Sequence, residues 1–320
     1  NAFAATARDV KAVRERVGIN EVQNFSKFSV TGSGARAWLD RIMAGRIPDL
    51  GRVSLAPMLS PKGRLIGDFT ISCLGEEEFQ LTSSYGYQSV HERWLRSHLE
   101  AGIDIENISD RRTGFQIAGP MARTVLAEVT RADVSAESFL FMDVKRMTVG
   151  MCDCIVQRLS YTGDLGYEIY TDAMDQRSLW DTLFAAGQKH GMRPFGMRAM
   201  MSLRLDKFFG SWLSEFSPDY TPAETGMDRF VAVNKGADFI GRSAVEAERQ
   251  SGAARKLVMF EVDADDADAV GYEPVWIDGE VKGFCTSGGY SHTAQKSIAL
   301  ALVDDASLSD DLEAKIEILG

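Results

Sequence analysis

The sequence predicts an α+β protein, and three observations carry that reading. Strand, glycine-centred turn and helix follow one another twice, in VTGSGARAWLDRI and in GFQIAGPMARTVLAEVT, which points to a two-fold internal repeat. Between them, VSLAPMLSPKGRLIGDFTISCLGEEEFQLTSSY reads as a β-meander, its short strands punctuated by Pro-Lys-Gly and Gly-Glu-Glu-Glu. Near residue 250, after a helix in AVEAERQSG, the composition shifts to strand-like alternation. The expected organisation is a mixed body over residues 1–245 and a small β domain over residues 250–320.

Each element has its own reason. Residues 4–17 repeat Ala, Val and Arg at helical spacing. In NFSKFSVTGSGARAWLDRIM a short alternating strand leads into a helix that Ser33 is placed to cap. Residues 87–100 return to helix after the meander. Residues 145–172 read as two strands around the turn Ser-Tyr-Thr-Gly-Asp-Leu-Gly, and residues 174–190 as an amphipathic helix. The cluster DADDADA reads as a solvated turn, because it lacks the glycine and terminal glutamate of a calcium loop.

Composition bounds the function. A chain of 320 residues suggests two or three domains and can bury a large core without disulfides or metals. The net charge of -11 argues against a nucleic-acid partner held through its phosphates, though a local basic patch could still serve an anionic small molecule. Cys152 and Cys154 form C-x-C rather than a redox C-x-x-C; on a strand they share one face, with Asp153 on the other, and read as small buried hydrophobes. With Cys73 and Cys285 they suit a reducing compartment. His91, His98, His190 and His292 have no partners at metal-ligand spacing, so no metal site is expected. No apolar run reaches membrane length and no signal-peptide pattern opens the chain. The expected location is the cytoplasm, or the mitochondrial matrix in a eukaryote. The first residue is not Met, and the chain reads as part of a longer protein.

The chemistry-bearing residues are few. The chain has no G-x-G-x-x-G after a strand, no phosphate-binding P-loop and no G-x-S-x-G. In RLIGDFTISCL, Asp68 alternates with apolar neighbours; it is either a solvent-facing edge residue or a carboxylate aimed into a pocket, where it would accept a proton or stabilise a cation. In SYTGDLGYEIY, Glu168 is either solvent-facing or an acceptor for two N–H groups of an amino-pyrimidine edge, as in a pterin or guanine-like ring. Arg198 and Arg204 lie in the Met-rich FGMRAMMSLRLDKFFGSW; they either snorkel and pair with acids or clamp a ligand carboxylate.

Taken together, these blocks resemble the aminomethyltransferase family, founded on the glycine-cleavage T-protein, and more closely the folate-binding portion of dimethylglycine and sarcosine dehydrogenases. The matching segments are RDVKAVRERVGINEVQNFSKFSVTGSGA, LSPKGRLIGDFTI, FMDVKRMTVG with LSYTGDLGYEIY, PFGMRAMMSLRLDK, SPDYTPAETGMDRFV, ADFIGR and VKGFCTSGGYSHTAQKSIALALV. They run through nearly the whole chain.

The resemblance implies a three-lobed fold around a folate channel, closed by a C-terminal β-barrel domain. It implies tetrahydrofolate as cofactor, Asp68 as the catalytic carboxylate and Glu168 at the pterin edge with Tyr167 beside it. It puts Arg198 near the folate tail, and Met58 and Phe69 in the ring's wall. Ser83 stands where the family often has Asn, and the chain stops at KIEILG, short of the family's usual end. In the dehydrogenases an FAD domain precedes this region, so FAD is expected only in a domain or partner outside this chain, an FAD-dependent oxidoreductase. The implied reaction passes the iminium carbon of an oxidised N-methyl amine to tetrahydrofolate. Two alternatives stay open: a folate-dependent demethylase or methyltransferase acting on a sulfonium or quaternary ammonium donor, and a folate-binding module without activity of its own.

Overall fold

The structure is a computed structural model that describes residues 2–308 and 313–319; the final glycine of KIEILG lies outside them. The chain opens on helix α1 (Ala2–Glu15), which buries Val10, Ala12 and Val13, and on strand β1 (Gly18–Glu21).

One order of elements then occurs twice. The first pass is β2 (Phe25–Thr31), α2 (Ala35–Ile42), β3 (Val53–Leu59), β4 (Leu65–Gly75), β5 (Glu78–Ser84), α3 (Gln88–Ser97) and β6 (Asp104–Asn107). The second is β7 (Arg112–Ala118), α4 (Ala122–Val129), β8 (Val144–Val149), β9 (Cys152–Gln157), β10 (Gly166–Asp172), α5 (Gln176–Gln188) and β11 (Arg193–Pro194). Their sheets run β3-β4-β5-β2-β6 and β8-β9-β10-β7-β1-β11, so the second reproduces the first with β1 inserted before its last strand. Both passes turn from strand to helix through a glycine of positive φ, Gly32 at 117° and Gly119 at 128°. A side chain at Gly119 would lie 2.4 Å from the Val13 carbonyl oxygen, so only glycine fits there.

Residues 145–172 hold three strands, not the two expected. KRMTVGMCDCIVQ reads as one uninterrupted run, but Gly150 adopts φ of 61° and makes a hairpin tip where Met151 is 90% exposed. Cys152 and Cys154 do share a buried face of β9, with Asp153 exposed.

Helices α6 (Met197–Leu205), α7 (Pro222–Thr225) and α8 (Arg242–Ser251) follow. Thr221 and Glu224 form a capping box that starts α7. The chain ends in β12 (Arg255–Val262), β13 (Pro274–Ile277), β14 (Glu280–Ser291), β15 (Lys296–Asp304) and β16 (Ala314–Ile316), an antiparallel sheet ordered β12-β15-β14-β13-β16. Ala299, Ala301 and Val303 of β15 pack with Val275, Ile277 and Cys285, while Leu300 and Leu302 on its other face pack with Leu205 and Leu257. No helix among the described residues is long and apolar enough to cross a membrane.

The chain divides into two compact units. One takes in the chain up to Leu39, Ile47–Leu55 and Phe69–Met201; the other takes in Asp40–Arg46, Ala56–Asp68 and the chain from Ser202 onward. In the first unit, Phe115, Ile117, Tyr167 and Ile169 of the second sheet bury one face against Val125 and Leu126 of α4 and Leu179 and Leu183 of α5. Burial of each such side chain contributes roughly 1.5–3 kcal/mol, and it leaves the sheet's opposite face to be explained.

Candidate ligand-binding site

That opposite face is polar and buried. Strand pairing sets Gln116 of β7 opposite Glu168 of β10, and Glu168 opposite Gln157 of β9. Directly opposed residues project to one face, so the three side chains form a row inside the first unit, at 1%, 7% and 0% exposure. Tyr170, two residues along β10, shares the face, and its hydroxyl donates to Glu168 Oε2 at 2.6 Å. The first sheet is two-sided in the same way. Phe28 and Val30, Phe69 and Ile71, and Phe79 and Leu81 fill one side; Lys27 and Ser29, Thr70 and Ser72, and Gln80 and Thr82 alternate onto the other. The two polar faces meet. Lys27 Nζ lies 5.9 Å from the centroid of the Tyr170 ring, and Thr82 lies beside the Tyr170 hydroxyl.

Burial dominates the electrostatics. Lys27 Nζ donates to the carbonyls of Val22, at 3.1 Å, and Phe25, at 2.8 Å. Burial still lowers its pKa to about 8, against the opposing pull of Glu168 and Asp110. Burial raises the Glu168 carboxyl above the usual carboxylate range, opposed by the Tyr170 hydrogen bond and the Lys27 charge. Burial also raises the Tyr170 phenol, as does the adjacent Glu168. Against burial, only one hydrogen bond and one ammonium group are seen to favour the ionised form of Glu168.

The neighbours of Glu168 have hydrogen-bonding capacity to spare. Both amide atoms of Gln157 and Oε1 of Gln116 are buried with no partner among the described residues; on the polar face of the first sheet the same holds for both amide atoms of Gln80 and for Oγ of Ser72. The Gln116 amide nitrogen reaches only the Met200 sulfur, at 3.9 Å. Leaving one such atom unsatisfied costs about 1–3 kcal/mol, so a cluster of them is an interior shaped for something polar. A flat amino-pyrimidinone edge matches it chemically. It offers adjacent N–H donors to a carboxylate and a carbonyl acceptor to a flanking amide.

The residues singled out from sequence fall in several places. Glu168 is the centre of the row. Tyr167, the next residue along, points to the other face, packs against Phe139 and accepts a hydrogen bond from Arg123 Nε at 3.1 Å. Ser83 is buried opposite Ser26 on the side away from Thr82. Phe69 lies on that same side, its ring centroid 5.0 Å from that of His91. Arg198 is exposed in the first turn of α6. Arg204, in the last turn of that helix, is fully buried and paired with Glu215 at 2.9 Å. Asp68 and Met58 belong to the second unit: Asp68 is half-buried in β4, and Met58 is fully buried in β3, bridged to Met43. Reading the sequence did not single out Lys27, Gln80, Gln116 or Gln157. The usable signal was strand parity, since Gln116 and Glu168 sit at matching distances from the turns that end their strands.

Comparison with known proteins identifies the family. Residues 1–235 match the family model described as the GCVT N-terminal domain, and residues 255–320 match the glycine cleavage T-protein C-terminal barrel domain. The mitochondrial dimethylglycine dehydrogenases of Mus musculus and Homo sapiens are each 36% identical over 100% of this chain, which spans 37% of their length. An aminomethyltransferase of Geobacillus sp. is 32% identical over 99% of this chain and 87% of its own. The crystal structure of the glycine cleavage system aminomethyltransferase T of Bartonella henselae has the same fold, with a TM-score of 0.88 at 22% identity, covering 98% of this chain and 86% of that one. The chain belongs to the aminomethyltransferase family of tetrahydrofolate-dependent enzymes.

Proposed function

We propose that this chain binds tetrahydrofolate on the buried polar faces of its first unit and transfers to it the one-carbon unit of an N-methyl amine-derived iminium, as in dimethylglycine or sarcosine demethylation. The observation that carries the proposal is the Gln116–Glu168–Gln157 row, a buried carboxylate between two amides with unmet hydrogen-bonding capacity. The choice of donor rests on the 36% identity to dimethylglycine dehydrogenases along the entire chain. Bound tetrahydrofolate supplies a nucleophilic nitrogen that accepts the carbon.

The protein's part is to hold and to balance charge. Glu168 accepts the N–H groups of the pterin edge, and Lys27 and Tyr170 favour its ionised form against the opposing effect of burial. A fixed ring turns a bimolecular encounter into a positioned one, which supplies much of the rate. Asp68 favours the cationic iminium, takes the proton released as the new carbon–nitrogen bond forms, and returns it to the demethylated amine, which leaves as the old carbon–nitrogen bond breaks. Producing the iminium requires oxidation of the amine, and that falls to an FAD-dependent oxidoreductase domain or partner outside this chain.

A second reading has its own support. The Geobacillus aminomethyltransferase is 32% identical across 87% of its length, which favours an aminomethyl group as the donated unit. The two readings separate when the protein is given tetrahydrofolate with, in turn, dimethylglycine and its flavin oxidase, an aminomethyl carrier, formaldehyde and a sulfonium donor. Methylenetetrahydrofolate formation above the uncatalysed rate is expected with the oxidised amine. Absence of tetrahydrofolate binding by calorimetry would overturn both.

A further inference from the structure

The two passes of the repeat correspond residue by residue. Thr31 ends β2 and Ala118 ends β7, each followed by its positive-φ glycine. Counting back from these ends sets Ser29 against Gln116 and Lys27 against Gly114. Across the ladders, Ser29 opposes Gln80 as Gln116 opposes Glu168, and Gln80 opposes Ser72 as Glu168 opposes Gln157. The row Ser29–Gln80–Ser72 is thus the first-pass counterpart of Gln116–Glu168–Gln157, and Thr82 is the counterpart of Tyr170.

The counterpart row is also buried and short of hydrogen-bond partners. Gln80 is 2% exposed and Ser72 0%; both amide atoms of Gln80 and the Ser72 hydroxyl are buried without a partner among the described residues. Its charge differs from that of the first row. Gln80 replaces the carboxylate, and Gly114 stands where Lys27 brings an ammonium group to the other half, so nothing charged belongs to this row. Glutamine and serine together offer donors and acceptors side by side, which suits a neutral amide and neither an ammonium nor a carboxylate. Thr82 and Tyr170 meet where the halves face each other, and Gln80 and Glu168 each lie two residues, about 7 Å, along their strands from that meeting.

We infer that Ser29, Gln80 and Ser72 form a second hydrogen-bonding subsite, which takes an uncharged secondary amide of the ligand whose amino-pyrimidine edge rests on Glu168. The inference rests on the folate reading. In tetrahydrofolate that amide is the benzamide joining the aromatic ring to the glutamate tail. The Gln80 amide nitrogen donates to the benzamide oxygen, and the Gln80 oxygen or the Ser72 hydroxyl accepts from its N–H.

Ligand truncation tests it. Affinities of the wild type and of Gln80→Leu are measured by calorimetry for tetrahydrofolate, and by competition for a tetrahydropterin lacking the benzoylglutamate. Gln80→Leu should weaken tetrahydrofolate about tenfold, the loss of one to two buried hydrogen bonds, and leave the tetrahydropterin unchanged. Equal weakening of both ligands places Gln80 against the pterin ring and overturns the inference; so does no weakening of either. Leu is close to Gln in size and removes the unpaired amide, so the melting temperature should hold or rise. Should that variant fail to fold, Ser72→Ala gives the same selective pattern at a smaller size. A wild type that binds neither ligand refutes the folate reading itself, whereas a wild type that binds both beside an unaffected Gln80→Leu refutes only the second subsite.

Discussion

Glu215 and Glu168, buried glutamates of different units, are treated very differently. Glu215 in the second unit is 0% exposed and saturated: Arg204 and the Ser211 backbone N–H hold one oxygen at 2.9 and 2.8 Å, and the hydroxyls of Thr286, at 2.7 Å, and Ser287 hold the other. Glu168 in the first unit is nearly as buried, yet it has the Tyr170 hydrogen bond and a nearby ammonium, between two glutamines whose amides are largely unused. A saturated buried carboxylate has finished its work when the chain folds. One left short of partners retains free energy for a ligand to release. On the proposed reading, the first is a structural acid and the second a binding one.

The largest expected effect falls on the saturated acid. Arg204→Met leaves Glu215 buried without its cation and should destabilise the fold by about 3–5 kcal/mol, read as the midpoint of urea unfolding. If the contrast is right, folded variant protein still binds tetrahydrofolate with near wild-type affinity.

The catalytic assignment comes next. Asp68→Asn should lower methylenetetrahydrofolate formation by about two orders of magnitude, assayed with the flavin oxidase supplying the iminium, while folate affinity changes far less. Normal product formation would remove Asp68 from the chemistry.

How much of this could be read beforehand follows from strand physics. The repeat was legible because a glycine turn between a strand and a helix is a local signal, as at Gly32 and Gly119. Glu168 was legible as a residue with two readings, since a carboxylate among tyrosines is unusual on either face. Gln116 and Gln157 were not, because glutamine in a strand ordinarily faces water and only the pairing of two distant sheets buries these. Tyr167 and Ser83 sit one residue away from Glu168 and Thr82, and in a strand one residue is the other face. Lys27 gave no warning either; its cradle of Val22 and Phe25 carbonyls is a property of the folded turn.

Smaller effects concern pH. Because the folded pKa of Glu168 is raised above its ordinary 4.5, the native state binds the extra proton. This group therefore favours folding below pH 4.5, and that contribution is lost as pH rises through the raised value. Glu168→Gln removes the dependence, so the variant should gain stability relative to wild type across that interval and hold the difference above it, as melting temperatures in a pH series would show. Lys27→Met takes away the ammonium beside Glu168 and should move the pH midpoint of folate binding upward, since Glu168 then ionises less readily. A midpoint that stays put would mean that Lys27 only fills space.

The most direct test is the affinity of wild type and Glu168→Gln for tetrahydrofolate in one neutral buffer. The substitution keeps the shape of the side chain and turns one acceptor into a donor facing the pterin's donors. A mismatch of that kind costs about 1–3 kcal/mol, so the dissociation constant should rise by about an order of magnitude or more while the melting temperature holds or increases. An unchanged dissociation constant would show that the ligand does not rest on this row.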